Sequence, residues 1–430
     1  MSRKVISNWR QTMPAQPKSP LHEPLTLPNG GIFSNRIAKA SMEESLADRR
    51  FLPGESLIRL YERWGRSGAG LLLTGNVMVD PNALTGPGNV IIQKKNDLDD
   101  FKRWAEAGKR EGSRMWMQIN HPGRQTFGFL SKTPVAPSAV PVKIPGRMFS
   151  KVFGVPRALS EDEIRRIIDR FVQAALVAEE SGFDGVEIHA AHGYLLNQFL
   201  SPLSNRREDR WGGPLENRAL LLLEIVSGIR SVVKRTFGVG VKLNSADFQN
   251  GGFREEDAIR VIELLNGKGL DLLEISGGNY ESPAMQGGDG TGRREAYFLE
   301  FAKKARTIAR MPLMSTGGFR SAKIMEEAVR SGALDMIGMA TPFAFEPDAA
   351  SKLLSGESEK IDPIIPRLSN PAFNSLSKMA AIRLQLRRIG EGKKPKLPAF
   401  LIGNMILDQI RGRKNAKRYK KFLMSLESDH

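Results

Sequence analysis

Apolar residues along this chain follow two alternating rhythms. Short runs rich in Val, Ile and Leu give way to stretches where apolar positions recur every three or four residues, which predicts a parallel sheet covered by helices. The runs predicted as strands are RIAKASM (36–42), AGLLLTGNVM (69–78), RMWMQI (114–119), DGVEIH (184–189), VGVKLN (239–244), DLLEIS (271–276), PLMST (312–316) and DMIGM (335–339). Between them, Ser160 and Glu163 have the spacing of a capping box, and Ile164, Ile167, Ile168, Phe171, Ala175 and Ala178 make one apolar stripe behind it. Ala258, Val261, Ile262 and Leu265 make another. Eight such units over roughly 310 residues predict the α/β class and a (β/α)8 TIM barrel. A doubly wound open sheet is the alternative with the same local pattern.

Two connections are too long for plain turns, Asn120 to Leu159 and Gly193 to Pro214, and loops of that kind are lids or binding loops. Past Pro347 the pattern becomes helical and basic, with turn signals at EGKKPKLP. The organisation expected is an N-terminal arm (1–23), the barrel (24–350) and a basic helical C-terminal extension (351–430).

Composition narrows the classes. The chain is 40% hydrophobic and 26% charged, and its most apolar helix, ALLLLEIV, is interrupted by Glu224, so no integral membrane association is expected. With no cysteine, disulfides, thiolate nucleophiles and iron–sulfur clusters are excluded. The start lacks the apolar core of a secretory signal, which predicts a cytoplasmic protein. Net charge is +17, of which +11 lies between Arg367 and His430, with 15 Lys or Arg against four acids. No nucleic-acid motif accompanies that basic tail, so solvated helix faces, or contacts to the barrel or to a second copy in a homo-oligomer, explain it better than polyanion binding.

The candidate chemistry is concentrated in EIHAAHGYL (187–195), which holds two of the five histidines. Barrel enzymes carry function where strands end, and His189 ends the fourth strand, as Gln118 ends the third, Lys242 and Asn244 the fifth, and Ser276 the sixth. Two imidazoles there can hold a metal, do acid/base work, or donate to one substrate oxygen. Glu187, the nearest third ligand, lies one layer deeper, so no metal is expected, and a metal-dependent barrel hydrolase is the weaker reading. As donors, His189 and His192 would polarise a carbonyl and stabilise the enolate formed when hydride adds at its β-carbon, while Tyr194 delivers a proton to the α-carbon. Hydride needs a redox cofactor. Its phosphate would sit between STGGFRS (315–321) and IGMATPF (337–343), where Gly317 and Gly318 let backbone N–H groups approach an anion. GGDGTG (287–292) is not led into by a strand and is read as a flexible loop rather than a dinucleotide fingerprint.

Over residues 24–347 the chain resembles the old yellow enzyme family of FMN-dependent ene-reductases, also called NADH:flavin oxidoreductases. The resemblance is carried by HAAHGYLLNQFLSPLSNRREDRWGGPLENR (189–218), with NRIAKASM, GLLLTGNV, QINHPGR, APSAV and KLNSADF in the family's order. It implies non-covalent FMN across the barrel mouth, NADH or NADPH as reductant, and a small-molecule substrate with an activated alkene. A demethylase or dehydrogenase on the same scaffold is the alternative. Position by position it implies that Ala40, Ser41, Met42 and Glu43 lie against the ring, that Gly75 leaves room for it, and that Gln118 and Lys242 meet its pyrimidine side. Gly317, Gly318, Gly338 and Met339 fall in the phosphate loops, and His189, His192 and Tyr194 take the substrate-binding and proton-donor roles. Arg207, Asp209, Glu216 and Arg218 would brace the long loop. Three positions depart from the family. Glu43 stands where many members have Thr or Cys, which predicts a lowered flavin potential; Met339 and Thr341 lack the charge of a phosphate-binding arginine; and Ser45 replaces a tyrosine.

Overall fold

Eight parallel strands close on themselves in the computed structural model, which describes residues 19–92, 98–144, 152–284, 295–363, 365, 368 and 371–428. They are β1 (Ile37–Lys39), β2 (Leu71–Leu73), β3 (Arg114–Asn120), β4 (Gly185–Ala190), β5 (Gly238–Asn244), β6 (Leu272–Ser276), β7 (Leu313–Thr316) and β8 (Met336–Met339). Each pairs with the next and β8 returns to β1, so the fold is the (β/α)8 barrel and not the open sheet. Each of the eight predicted runs falls on a strand, with β3, β4 and β5 each extending one residue beyond the predicted bounds. The run at 36–42 yields only three strand residues, because the chain from Ala40 onward turns along the barrel mouth. The run at 69–78 is split: after β2, Val77–Met78 forms a separate rung beside Ile119 and Asn120.

Around the sheet lie α1 (Glu55–Gly65), α2 (Leu98–Gly108), α3 (Glu161–Glu180), α4 (Leu215–Val232), α5 (Glu255–Leu265), α6 (Leu299–Arg306), α7 (Ala322–Arg330) and α8 (Ala349–Ser355). The capping box of α3 is formed: the Glu163 N–H donates to Ser160 Oγ at 3.3 Å, and the Glu163 carboxylate accepts from the Ser160 N–H at 2.9 Å. GGDGTG and the first 18 residues lie outside the described residues.

Successive residues of a strand face opposite sides, and in a closed sheet one side is the barrel interior. Outward residues such as Ile37, Leu72, Met117, Ile188, Val241, Ile275 and Ile337 join the helices in the main core. Inward residues divide into two layers. The lower one is apolar: Ala38, Leu71, Leu73, Trp116, Leu272, Met314 and Met336 pack with Leu25, Leu27 and Phe33, which belong to a short antiparallel hairpin stopping the barrel's floor. Trp116 fills that layer because its neighbours withdraw. A Cβ on Gly185, Gly238 or Gly240 would come within 2.6, 2.2 or 2.9 Å of the indole. Above Trp116, the inward positions become polar.

Past α8 the chain adds α9 (Pro371–Gly390) and α10 (Leu401–Ser428). The extension packs on the barrel: α9 lies against α1, and Tyr419 of α10 joins Phe51, Met78, Leu84 and Ile91 in a small core beside the mouth, donating its hydroxyl to Pro81 O at 2.8 Å. Arg383 and Arg387 are both held by Asp408 at 2.9 and 3.0 Å, and Arg388 donates to Lys394 O.

Gly238→Ala should overpack the floor against Trp116 and destabilise the fold by about 1–3 kcal/mol. Denaturant unfolding checks this; an unchanged midpoint would contradict the packing described.

Candidate active site

The mouth is built from strand ends that carry polar residues inward. His189, on β4, is buried, and its Nδ1 accepts the Ala191 N–H at 3.2 Å, which leaves the ring proton on Nε2, free to donate. His192 follows in the left-handed region, φ 61°, a conformation costly for a residue with a Cβ. Two contacts hold it there: its N–H donates to Asn244 Oδ1 at 3.1 Å, and its Nε2 meets Ser276 Oγ at 2.7 Å. Gly193 is also left-handed, and a Cβ there would strike Gln125 and Asn279. This turn brings the two imidazole centroids to 5.0 Å and places the Tyr194 ring 4.8 Å from His189.

Burial holds both histidines well below the ordinary imidazole pKa, and the Lys242 ammonium adds to it. They are neutral donors, not cations. Burial likewise pushes the Tyr194 phenol well above its usual range, reinforced by Tyr280 and Glu43. Tyr194 Oη lies 2.9 Å from Tyr280 Oη, whose own pKa is pushed up to about 12 by burial and by Glu43. Two protonated phenols therefore stand in line beside the imidazoles.

Below them runs a buried polar belt. Ser41 Oγ donates to Gln118 Oε1 at 2.7 Å, Gln118 Nε2 donates to Glu187 Oε2 at 2.5 Å, and Lys242 Nζ donates to Glu274 Oε1 at 2.6 Å. Pairing register explains the last contact, since Lys242 is flanked by His189 on one side and Glu274 on the other.

A second cluster fixes the segment after β1. Lys39 points outward beneath α1, donating to Tyr61 Oη at 2.9 Å and Leu73 O at 2.6 Å, with the Trp64 ring 4.4 Å from its Nζ. Burial lowers its pKa to about 8 despite Glu44 nearby. Glu44, raised by burial, accepts from Tyr61 and from the Gly75 N–H at 2.8 Å. With Glu44 pinned outward, Glu43 turns to the mouth, where it accepts from Asn89 Nδ2 at 3.1 Å and Ser45 Oγ at 3.4 Å. Arg383 of the extension stands opposite: burial works against its charge, but Glu43, Asp408 and Tyr280 hold the guanidinium above its ordinary pKa.

Residues 20–360 match the family described as NADH:flavin oxidoreductase / NADH oxidase. The chain belongs to that family. It is 41% identical over 350 residues to the NADH-dependent flavin oxidoreductase iliE of Hypocrea jecorina, covering 75% of this chain and 86% of that one. An old yellow enzyme homologue from Zymomonas mobilis is similar in structure with a TM-score of 0.67 at 26% identity, over 81% of this chain and 95% of that one. A 2-naphthoyl-CoA reductase superposes with a TM-score of 0.75 over 87% of this chain; at 23% identity that likeness concerns the fold, and this chain spans 58% of its length. The protein is thus an FMN-dependent NAD(P)H oxidoreductase of the old yellow enzyme type.

The mouth of this flavin oxidoreductase fits such a group. Ala40 and Gly338 keep one side of the barrel low: a Cβ on Gly338 would meet Thr316 Oγ1 at 2.0 Å and the Ala40 Cβ at 3.3 Å. Opposite them stand the hydrogen-bonding ends of Gln118, Lys242 and His189, and Asn76 Oδ1 and Thr316 Oγ1 are buried without a partner among the described residues. A flat ring edged with donors and acceptors suits that combination. In the loops expected to hold the phosphate, Gly318 is left-handed, φ 76°, with the Tyr297 ring 2.5 Å from where a Cβ would stand, and the short helix Thr341–Phe345 begins without a side-chain cap. The N-terminus of α7 is taken by Glu295, whose Oε2 accepts from the N–H groups of Arg320 and Ser321, each at 2.9 Å.

The structure brings together His189, His192, Tyr194, Gln118, Lys242, Ser41 and Glu43. Two expected residues stand otherwise. Met339 is an outward position of β8, buried in the core shared with the helices, so only its backbone faces Ala40. Gly75 leaves its space to the chain itself: a Cβ would meet Glu44 Oε2 at 2.0 Å and Met42 O at 2.4 Å. Arg207 braces the long loops, donating to Pro137 O at 3.0 Å and Leu159 O at 2.6 Å and pairing with Asp209, while Arg218 reaches Leu200 O. Sequence reasoning missed Tyr280, Lys39, Glu44 and Glu274. For Glu274 the parity of DLLEIS was a usable signal; for Tyr280, in a loop, there was none.

Because both imidazoles are neutral, their nuclear magnetic resonance signals should stay in the neutral form from pH 7 down to 6.5, the ordinary imidazole pKa. Protonation of either ring above pH 6.5 would contradict the site's electrostatics.

Proposed function

We propose that this oxidoreductase reduces alkenes conjugated to a carbonyl or nitro group, with NADH or NADPH as the hydride source, and that His189, His192 and Tyr194 are the groups that act on substrate. The observation that carries this reading is the convergence of two neutral imidazoles and a protonated phenol at the mouth, with ring separations of 5.0 and 4.8 Å. FMN, when bound, supplies the hydride that the nicotinamide delivers to it.

The chain's own residues do the rest. His189 donates from Nε2 to the substrate's electron-rich oxygen. His192 donates from Nδ1, and in that tautomer its Nε2 accepts from the Ser276 hydroxyl 2.7 Å away. Two donors aimed at one oxygen stabilise charge that develops there, and removing one such donor typically costs about 10²–10³-fold in rate. The same pair orients the alkene so that its α-carbon faces Tyr194, whose hydroxyl supplies the proton and recovers one through Tyr280. Gln118 and Lys242 meet the pyrimidine side of the ring, Ala40 to Glu43 lie along it, and Gly317, Gly318 and Gly338 form the phosphate loops. NADH as the physiological reductant is supported by the relatives' names.

His189→Ala with His192→Ala should abolish the long-wavelength charge-transfer absorption that a bound phenol gives with the flavin, while FMN stays bound. Persistence of that band in the double variant would overturn the assignment. Tyr194→Phe should slow alkene reduction by about 10²–10⁴-fold and leave reduction by the nicotinamide nearly unchanged. Equal losses in the two half-reactions, measured by stopped flow, would exclude Tyr194 as the proton donor.

A further inference from the structure

The polar belt inside the barrel has more carboxyl groups than cations. Glu187, Lys242 and Glu274 are 1%, 3% and 0% exposed, so each ionic form must find its partner within the protein. Lys242 Nζ is spent on Glu274 Oε1, while Glu187 receives a hydrogen bond from the neutral amide of Gln118. The two carboxyl groups lie on inward positions of β4 and β6, on either side of Lys242's strand, and are within hydrogen-bonding reach of each other. Glu274 Oε2 is buried and has no donor among the described residues. Two carboxylates cannot face each other in a dry interior when both are ionised. One proton between them removes the repulsion and provides the missing donor.

We propose that Glu187 and Glu274 share a single proton, which settles on whichever carboxyl Lys242 does not hold, so that the interior below the mouth keeps one ammonium and one carboxylate in balance. The electrostatics agree in direction. Burial, with the charge of Glu274 added, raises Glu187 well above the ordinary carboxyl range. Burial opposes ionisation of Glu274 as well, but the Lys242 ammonium beside it more than offsets this. Other charges facing the belt do not disturb the count: Lys39 is matched by Glu44, and His189 and His192 are neutral. The pair is a positioning device. It fixes the charge that Lys242 presents at the mouth by the number of protons held, not by the number of carboxyl groups.

For its effect on the cofactor, this inference rests on Lys242 lying beside the flavin; for the proton itself, it does not. Infrared spectra of the holoenzyme in light and heavy water, with Glu187→Gln, Glu274→Gln and the double variant, test it together with the flavin midpoint potential. The wild type should show a buried protonated-carboxyl stretch that disappears in each single variant, because the remaining carboxyl becomes the ionised partner of Lys242. Each single variant should keep the reduced-to-oxidised ratio at fixed applied potential within about twofold, and the double variant should raise it at least tenfold, about 30 mV for a two-electron couple. A wild type without the band, with each single variant shifting the potential, would mean two ionised carboxylates and overturn the proposal. A band that persists in both single variants would mean two protons and overturn it equally. Infrared changes as expected with a flat potential in the double variant would uphold the shared proton and refute the placement of the flavin beside Lys242. If the double variant does not fold, the single-variant spectra decide the matter.

Discussion

Alternation in a closed sheet is the constraint from which the remaining features follow. Every second residue of every strand must face the barrel's interior, and that interior has no exit at the floor, where Trp116 and the hairpin carrying Phe33 fill it, with their rings 5.7 Å apart. Polar inward residues can therefore be tolerated only above that plug, and there they must satisfy one another. Gln118, Glu187, Lys242 and Glu274 do so in a belt whose contacts run from 2.5 to 2.6 Å, and the belt becomes the underside of the reactive mouth. An ammonium in that position is costly unless paired, and the carboxyl groups that pair it determine the charge on offer to a cofactor.

Above the belt, the meeting of the two imidazoles depends on a backbone distortion. His189 is placed by strand geometry alone, but His192 reaches the same spot only because residue 192 adopts a left-handed conformation. Asn244 and Ser276, from β5 and β6, absorb the cost by bonding its backbone and its ring. The extension contributes from outside the barrel. Asp408 clamps Arg383 and Arg387, and Arg383 in turn offsets Glu43, so the negative charge of Glu43 at the mouth is not an isolated one.

The barrel was legible because hydrophobic periodicity records which face of an element is buried, and each of the eight runs fell on a strand. The paired imidazoles and Tyr194 were legible for a different reason, a dense motif at a strand end. Side-chain direction was harder. Met339 was expected at the phosphate loops, yet Met336 packs in the barrel's interior, and parity alone turns residue 339 outward. Gly75 was expected to make room for a ring, and only the structure shows Glu44 claiming that room. Tyr280 and Arg383 approach the mouth from a loop and from an added helix, where no period links sequence position to the barrel axis.

The most direct test of the account is a crystal structure of the FMN-loaded enzyme with a phenol bound. The account predicts the flavin ring across the mouth above Ala40 and Gly338, the Lys242 and Gln118 side chains at its pyrimidine side, and the phenol oxygen hydrogen-bonded to both His189 and His192. Electron density placing the ring elsewhere, or the phenol oxygen out of reach of both imidazoles, would contradict it.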